Sequence, residues 1–185
     1  MSGPSIEERL QVLEDREAIR ETWLDYCTQI DVADMDGLGD VFTDDAVLEL
    51  EGLARSIDGE YRGRRAIIDD FYAKTASPEG PPGSTTAMTG HLSTNMRIDL
   101  DGDTATTLAY FFEIVDDSLA LLGTYQHRLR RDPDRWRFSF LRIVVRYRAR
   151  LEATGVAGRP LTDVVAKDVG GVPGIGHPSV AGRVS

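Results

Sequence analysis

Apolar residues recur at helical spacing along the first part of the chain and predict a long N-terminal helix. Ser5 and Glu8 have the spacing of a capping box, which marks a helix start. The apolar period then continues through Leu10, Leu13, Ile19, Trp23, Leu24, Cys27 and Ile30. We therefore expect a helix over about residues 5–32, which must lie across a wide surface.

Shorter elements follow this helix. Asp36 can cap a short second helix that runs to Phe42, and strands are predicted at 46–51 and at about 56–61. Residues 64–76 have a helical pattern whose inward positions are Ile67, Ile68, Phe71 and Tyr72. Pro and Gly then predict a mobile loop over 77–84.

Four long segments rich in β-branched and aromatic residues follow the loop. They span residues 89–100, 104–115, 120–131 and 136–151, separated by the turn sequences 101–103, 116–118 and 132–134. Tight turns between successive strands imply an antiparallel meander. Helices followed by a bent meander predict an α+β fold in which the sheet wraps around the long helix, with a pocket between them.

Composition and charge limit the organisation and the partners of the chain. Its 185 residues predict one domain over residues 1–152 and a tail over 153–185, which holds seven Gly and three Pro. For the tail we expect at most one short turn near 163–167, and three alternatives are open: it covers the pocket, docks on a partner subunit or is disordered. The net charge of −10 argues against nucleic acid as a partner.

The sequence gives no sign of a disulfide framework or of a membrane segment. A single cysteine, Cys27, excludes an internal disulfide, and no run approaches the roughly 18 apolar residues of a membrane span. We therefore expect a cytoplasmic protein. Nine of the 21 basic residues lie between Arg128 and Arg150, which we interpret as a solvated outer sheet face with surface ion pairs.

One acid interrupts the apolar stripe of the first helix. Asp31 lies four residues after Cys27, where a core residue is expected, and a buried carboxylate needs a partner. His91 begins a predicted strand, and we predict that Asp31 and His91 meet in the pocket as an acid/base pair. Ser93 and Asn95 share the face of His91 unless a bulge shifts the phase. The alternative is a core His–Asp pair without catalytic function.

Metal and cofactor motifs fail on inspection. Residues 34–37 resemble part of a calcium loop, but Val32 and Thr43 occupy ligand positions. Gly174 and Gly176 lack the third glycine and the preceding strand of a dinucleotide site, and three scattered histidines have no zinc spacing. We therefore expect chemistry without a metal or cofactor.

Several motifs together resemble the SnoaL-like group of the NTF2-like superfamily. They are Tyr26-x4-Asp31-x2-Asp34-x-Asp36, Phe42-Thr43-Asp44-Asp45-Ala46, Gly63-x2-Ala66-Ile67, His91-x3-Asn95, Asp101-Gly102-Asp103-x-Ala105, Gly123-x-Tyr125 and Trp136-x-Phe138. The group includes scytalone dehydratase, hexachlorocyclohexane dehydrochlorinase and bile-acid dehydratase. The resemblance covers about residues 6–147 and implies a cone, in which a strongly curved, mostly antiparallel sheet surrounds the long helix.

The resemblance also implies site residues. The dehydratase-like members of the group have an Asp at the position of Asp31 and a His at the position of His91, and in them the His acts as the base. The sequence departs from scytalone dehydratase at three places: it has Ile30 and Leu50 where that enzyme has pocket tyrosines, and it has no histidine in 109–115. These differences make the substrate of scytalone dehydratase an unsuitable one for this protein. The dehydrochlorinase-like pattern fits better around 89–95 and 123–138, and it would place a substrate-binding arginine at Arg131. Pairing through the outer sheet faces as a homodimer or homotrimer is a further implication.

Other side chains are candidates for binding a small-molecule substrate. Tyr125, on the face of Gly123 and His127, could hold a substrate oxygen, and a core or rim position is the alternative. Ser93 and Asn95 could orient the substrate, although Asn95 could instead tie strands together. Tyr26 is expected to line the cavity and Tyr110 its apolar wall. His127 shares a basic strand with Arg131 and is compatible with an exposed position.

These features predict a cofactor-free lyase or isomerase, of dehydratase or cyclase type, that acts on an apolar, cyclic substrate. The alternative is a non-catalytic ligand-binding or assembly subunit with the same fold, such as the small subunit of a ring-hydroxylating dioxygenase. An epoxide hydrolase would need an Asp–Arg–Asp pocket, which cannot be assigned in this sequence.

Overall fold

A computed structural model describes residues 3–75, 91–115 and 119–150 of the chain. The helix α1 spans Ile6–Asp31, and Ser5 and Glu8 form the predicted capping box at its start. The helix α2 spans Met35–Asp40 and is capped by Asp34 rather than by Asp36, because the Asp34 side chain accepts the Gly37 amide. The predicted loop at 77–84 and the tail from residue 153 lie outside the described residues.

A third helical segment, α3, contains one turn of unusual geometry. It begins as an α-helix at Arg64–Ala66, becomes a π-helix over Ile67–Tyr72 and ends as an α-helix at Ala73–Thr75. Of the predicted inward positions, Ile67, Phe71 and Tyr72 are buried, and Ile68 is partly buried against the core. A π-helix holds an extra residue within a turn and is frequent at functional sites.

Six strands form one mixed sheet. They are β1 (Phe42–Glu51), β2 (Gly59–Arg62), β3 (Leu92–Asp101), β4 (Thr104–Val115), β5 (Leu119–Arg131) and β6 (Trp136–Arg150). The order across the sheet is β2-β1-β6-β5-β4-β3. The strands β3 to β6 form the predicted antiparallel meander, whereas β1 pairs parallel to β6. The strand β1 begins at Phe42, four residues before the predicted start.

The core lies between α1 and the inner face of this sheet. Inner-face residues of β4 and β5 alternate with exposed ones, as the period of two requires. Trp23, Tyr26, Tyr125 and Phe138 form an aromatic cluster with ring centroids 4.9–6.4 Å apart. The curved sheet and long helix thus confirm the predicted α+β cone. None of the described helices has both the length and the apolar composition needed to cross a membrane.

The inward face of α1 differs in part from the prediction. Ile19, Trp23, Cys27 and Ile30 are buried as expected, and Tyr26 joins them. Leu10, Leu13 and Leu24 are exposed instead, with 52%, 64% and 61% of their surface accessible. The sheet covers only the side of the helix that carries Asp15, Ile19 and Thr22, so the apolar period at the N-terminal end faces outward.

Candidate active site

Asp31 and His91 contact each other where α1 ends and β3 is about to begin. The Nδ1 atom of His91 lies 2.6 Å from Asp31 Oδ1, and the His91 backbone N–H donates to Asp31 Oδ2 over 3.2 Å. Both carboxylate oxygens therefore hold the same residue. This two-point contact fixes the position and the orientation of the imidazole ring.

The environment keeps the carboxylate charged. Burial raises the pKa of Asp31, but the hydrogen bonds from the His91 ring and backbone and the attraction of its ring outweigh it, so the pKa of Asp31 falls below its ordinary value. An ionised carboxylate accepts the Nδ1 proton and leaves the Nε2 lone pair as a base. The imidazole side chain is only 6% exposed and faces the interior, whereas the carboxylate is 29% exposed.

Tyr26 lies beside the pair and contacts two further tyrosines, Tyr72 and Tyr125. The Tyr26 ring is 6.2 Å from the His91 ring and 6.2 Å from the Tyr125 ring, measured between centroids. The Tyr26 and Tyr72 hydroxyls are 2.7 Å apart and form a hydrogen bond, and Tyr72 is the last residue of the π-helical turn. Burial raises the pKa of all three phenols, so they are neutral hydrogen-bond donors at neutral pH.

Glu113 is a further polar residue at this end of the cone, and it was not predicted from the sequence. It continues the inner-face alternation of Ala105, Thr107, Ala109 and Phe111 along β4. Burial and the charge of Asp31 raise the pKa of Glu113, and only His91 opposes them. The alternation of period two over residues 104–113 is the sequence signal that places Glu113 on the inner face.

Comparison with known proteins identifies the family. The sequence model of the SnoaL-like domain matches residues 11–142 of this chain. The chain belongs to the SnoaL-like domain family. No curated protein sequence matches it.

Solved structures share the fold of this SnoaL-like domain. A protein described as a proposed aromatic ring hydroxylase from Novosphingobium aromaticivorans is 26% identical, with a TM-score of 0.60 over 75% of this chain and 94% of its own. The hexachlorocyclohexane dehydrochlorinase LinA-type3 from Novosphingobium barchaimii LL02 is 20% identical, with a TM-score of 0.62 over 78% and 95%. A proposed scytalone dehydratase from Novosphingobium aromaticivorans DSM 12444 is 17% identical, with a TM-score of 0.58 over 74% and 87%.

A β-bulge in this SnoaL-like domain separates Asn95 from the candidate site. The pairing of β3 with β4 shifts between Thr94 and Arg97, and Asn95 adopts a positive φ of 56°. Ser93 is partly buried and donates its hydroxyl to the Tyr110 carbonyl over 3.2 Å, whereas Asn95 is exposed. The expectation that residues 91, 93 and 95 share one face fails after residue 93.

Two further predictions are corrected by the alternation of the strands. Tyr110 lies on the outer face of β4 with 51% of its surface exposed, so it does not form the inner wall. His127 is buried rather than exposed: its Nδ1 atom contacts the Thr107 hydroxyl, and its ring lies 4.8 Å from the Trp23 ring. Gly123, Tyr125 and His127 do share the inner face of β5, as predicted.

Arg131 lies at the opposite end of the domain. It pairs with Asp15 at 2.6 Å and with Asp103 at 3.0 Å, and its guanidinium lies 4.9 Å from the centre of the Trp136 ring. Asp15 and Asp31 are 16 residues apart on α1, which corresponds to about 24 Å along the helix. This position removes Arg131 from the candidate site, and its hydrogen bonds to buried Asp15 give it a structural role.

A metal centre has no support in the described part of the chain. Within residues 3–75, 91–115 and 119–150, no group of three or more His, Cys, Asp or Glu side chains is arranged to hold a metal ion. The side chains of the candidate site are the Asp31 carboxylate, the His91 imidazole, three phenols and the partly buried carboxyl group of Glu113. Such a set can move protons and bind a substrate oxygen.

Proposed function

We propose that this protein is a cofactor-free lyase or isomerase that removes a carbon-bound proton from an apolar, cyclic small molecule. The observation that carries the proposal is the contact of Asp31 Oδ1 with His91 Nδ1 at 2.6 Å on a nearly buried imidazole. The carboxylate selects the tautomer with a basic Nε2 atom and stabilises the imidazolium that forms. General-base help of this kind contributes about two to four orders of magnitude in rate.

The chemistry after proton removal depends on the substrate. Loss of water or another leaving group gives a dehydratase, transfer of the proton to another carbon gives an isomerase, and attack of the carbanion on a second carbonyl gives a cyclase. In each case negative charge develops on a substrate oxygen. The neutral phenols of Tyr26 and Tyr125 are suited to stabilise that charge as hydrogen-bond donors in a buried site.

The relatives support an elimination among these reactions. The family is that of the SnoaL-like domain, and the structural neighbours include a dehydrochlorinase and a proposed scytalone dehydratase. Both names describe the removal of a small leaving group. The apolar inner face around Phe111 and Tyr125 favours a substrate with a hydrophobic ring.

Replacement of the base tests the proposal directly. His91→Gln and Asp31→Asn keep the approximate size of each side chain, and Asp36→Asn on the exposed surface of α2 is the matched control. We expect deuterium exchange of a cyclic ketone in D₂O, followed by proton NMR, to fall about 10²-fold or more in His91→Gln. It should also fall in Asp31→Asn and remain unchanged in the control. Full activity in both site variants would end the proposal.

A non-catalytic subunit is the second candidate function. The observation in its favour is the 26% identity to a proposed aromatic ring hydroxylase. A subunit of this kind would associate stably with a larger oxygenase chain. Two results would support this function. The complex should survive purification from the native cell, and His91→Gln should leave its assembly and its activity unchanged.

Self-association as a homodimer or homotrimer is supported by the outer sheet face. Leu92, Phe112, Leu122 and Tyr147 are opposite one another on four successive strands, and each is 37–61% exposed. A row of this kind is the surface on which a second copy can bury apolar area. We expect Leu122→Lys to convert an oligomer into a monomer in light scattering, and a monomeric unmodified protein would contradict this.

A further inference from the structure

We propose that Glu113 is the general acid of an elimination reaction: it protonates a departing hydroxyl group while His91 removes the carbon-bound proton. This inference rests on the proposed function and narrows it. It assigns the substrate class as a β-hydroxy carbonyl compound or a close analogue, and the product as the conjugated alkene plus water.

The strand register places the acid beside the base. In the β3/β4 pair, Leu92 lies opposite Phe112 and Ser93 opposite Phe111. Continuing this register by one residue places His91 opposite Glu113. Directly opposed residues of an antiparallel pair project to the same face, with Cβ atoms about 4.5–5.5 Å apart. Both side chains therefore face the interior and can reach one substrate from adjacent positions.

The surroundings of Glu113 favour a proton on its carboxyl group. Among the residues that the structure describes, no ion pair or hydrogen bond includes its side chain, and no arginine or lysine affects its charge. The titratable groups that interact electrostatically with Glu113 are His91, just before β3, and Asp31, at the end of α1. Cys27, Tyr72 and Tyr125 also do so. A carboxyl group in such a site remains neutral more readily than one in water, and a neutral carboxyl donates a hydrogen bond.

His91 and Glu113 together account for every proton that moves in the reaction. The His91 Nε2 atom takes the proton from carbon, the C–H electrons form the double bond, and the C–O bond breaks. The hydroxyl group leaves with the Glu113 proton as water. The site then holds an imidazolium next to a carboxylate, and transfer of one proton from His91 to Glu113 restores both groups for the next turnover.

The need for a proton on the leaving group indicates which leaving group this site is suited to. Hydroxide is a poor leaving group and needs a proton, whereas acetate or chloride leaves as a stable anion. A base alone is sufficient for the loss of acetate or chloride. The placement of a partly buried carboxyl group next to the base is therefore useful for water loss, and it has no comparable use in dehydrochlorination.

A leaving-group comparison tests the acid role. The probes are 3-hydroxycyclohexanone and 3-acetoxycyclohexanone, both of which give cyclohex-2-enone, followed by its ultraviolet absorbance. In Glu113→Gln we expect elimination of water to slow by about 10²–10⁴-fold and elimination of acetate to change by less than about threefold. Glu60→Gln, an exposed glutamate on β2, makes the same chemical change away from the site and should leave both rates unaltered.

Other results would overturn the assignment. Equal losses with both probes would mean that Glu113 supports the fold or the base, and no loss with either would mean that it is not used. An unmodified protein that eliminates only acetate would also exclude an acid at this position. If the unmodified protein acts on neither probe, the proposed function fails on these substrates, and the carboxyl group is then judged separately by NMR.

Carbon-13 NMR provides that separate judgement. In protein labelled at the glutamate Cδ atoms, the Glu113 signal is the one that Glu113→Gln removes. We expect it to titrate at higher pH than the surface glutamates, because burial and Asp31 both disfavour its charge. A signal that titrates together with the surface glutamates would overturn the inference even without a known substrate.

Discussion

Replacement of Arg131 by Gln should destabilise the protein without affecting the chemistry. The resemblance to dehydrochlorinases placed a substrate-binding arginine here, but Arg131 pairs at 2.6 Å with Asp15, whose side chain is 6% exposed. Removing one partner of a buried ion pair leaves the other charge uncompensated and costs about 3–5 kcal/mol. The lower end applies, since the Arg131 side chain is itself 32% exposed and Asp15 retains a 3.3 Å hydrogen bond from the Trp136 indole.

A loss of about 3 kcal/mol corresponds to a fall in the melting temperature of about 6–12 °C for a domain of this size. The assay is thermal unfolding followed by circular dichroism, with Arg128→Gln as the control. Arg128 is exposed on the same strand and contacts the Phe140 ring, so its loss should cost less than about 1 kcal/mol. Equal melting temperatures for the two variants, or a large rise in KM for Arg131→Gln at 25 °C, would refute the structural role.

Two further predictions concern buried polar groups. Burial lowers the pKa of His127 to about 3, whereas the pKa of a histidine in the unfolded chain is near 6.5. Between these two pH values the unfolded state binds more protons than the folded state, so the free energy of unfolding falls as the pH decreases. Urea denaturation at several pH values should show a loss of up to about 1.4 kcal/mol per pH unit, and the dependence on pH should be weaker in His127→Gln. The same pH dependence in both proteins would contradict the burial of a neutral His127. Tyr26→Phe and Tyr72→Phe should each cost about 1–3 kcal/mol, because each leaves the other hydroxyl unpaired, and the double variant should cost less than their sum. Additive losses in urea denaturation would exclude the hydrogen bond.

The sequence was sufficient to predict the architecture because each local pattern agrees with the global fold. The capping box at Ser5, the inward residues of 64–75 and the turns of the meander are all local signals, and they placed the elements within a few residues. Asp31 was found for the same reason: a charged residue in an apolar stripe violates the pattern and demands a partner. Its contact with His91 followed from the resemblance and from the scarcity of histidines.

The remaining errors arise from features with no local signal. The bulge at Asn95 moves the inner face by one residue, and no Gly or Pro marks it, so the simple alternation misplaced Asn95. The exposure of Leu24 depends on how far the sheet extends around α1, which is set by tertiary packing. Arg131 was placed by analogy with relatives, whereas its ion pair depends on Asp15, a residue that is distant in sequence and looks like surface in the helical pattern.

The π-helical turn gives this domain a simple means of changing the side chains beside its candidate site. The π-helical stretch Ile67–Tyr72 holds one residue more than an α-helical turn requires, and it ends at Tyr72, whose hydroxyl contacts that of Tyr26. Deletion of a single codon in this stretch would restore α-helical geometry and rotate Tyr72 by about 100° around the helix axis, away from Tyr26. Because α3 is separate from His91 and from β4, which carries Glu113, such an event would change the side chains beside the candidate site in one evolutionary step and leave the proton-transfer residues where they are.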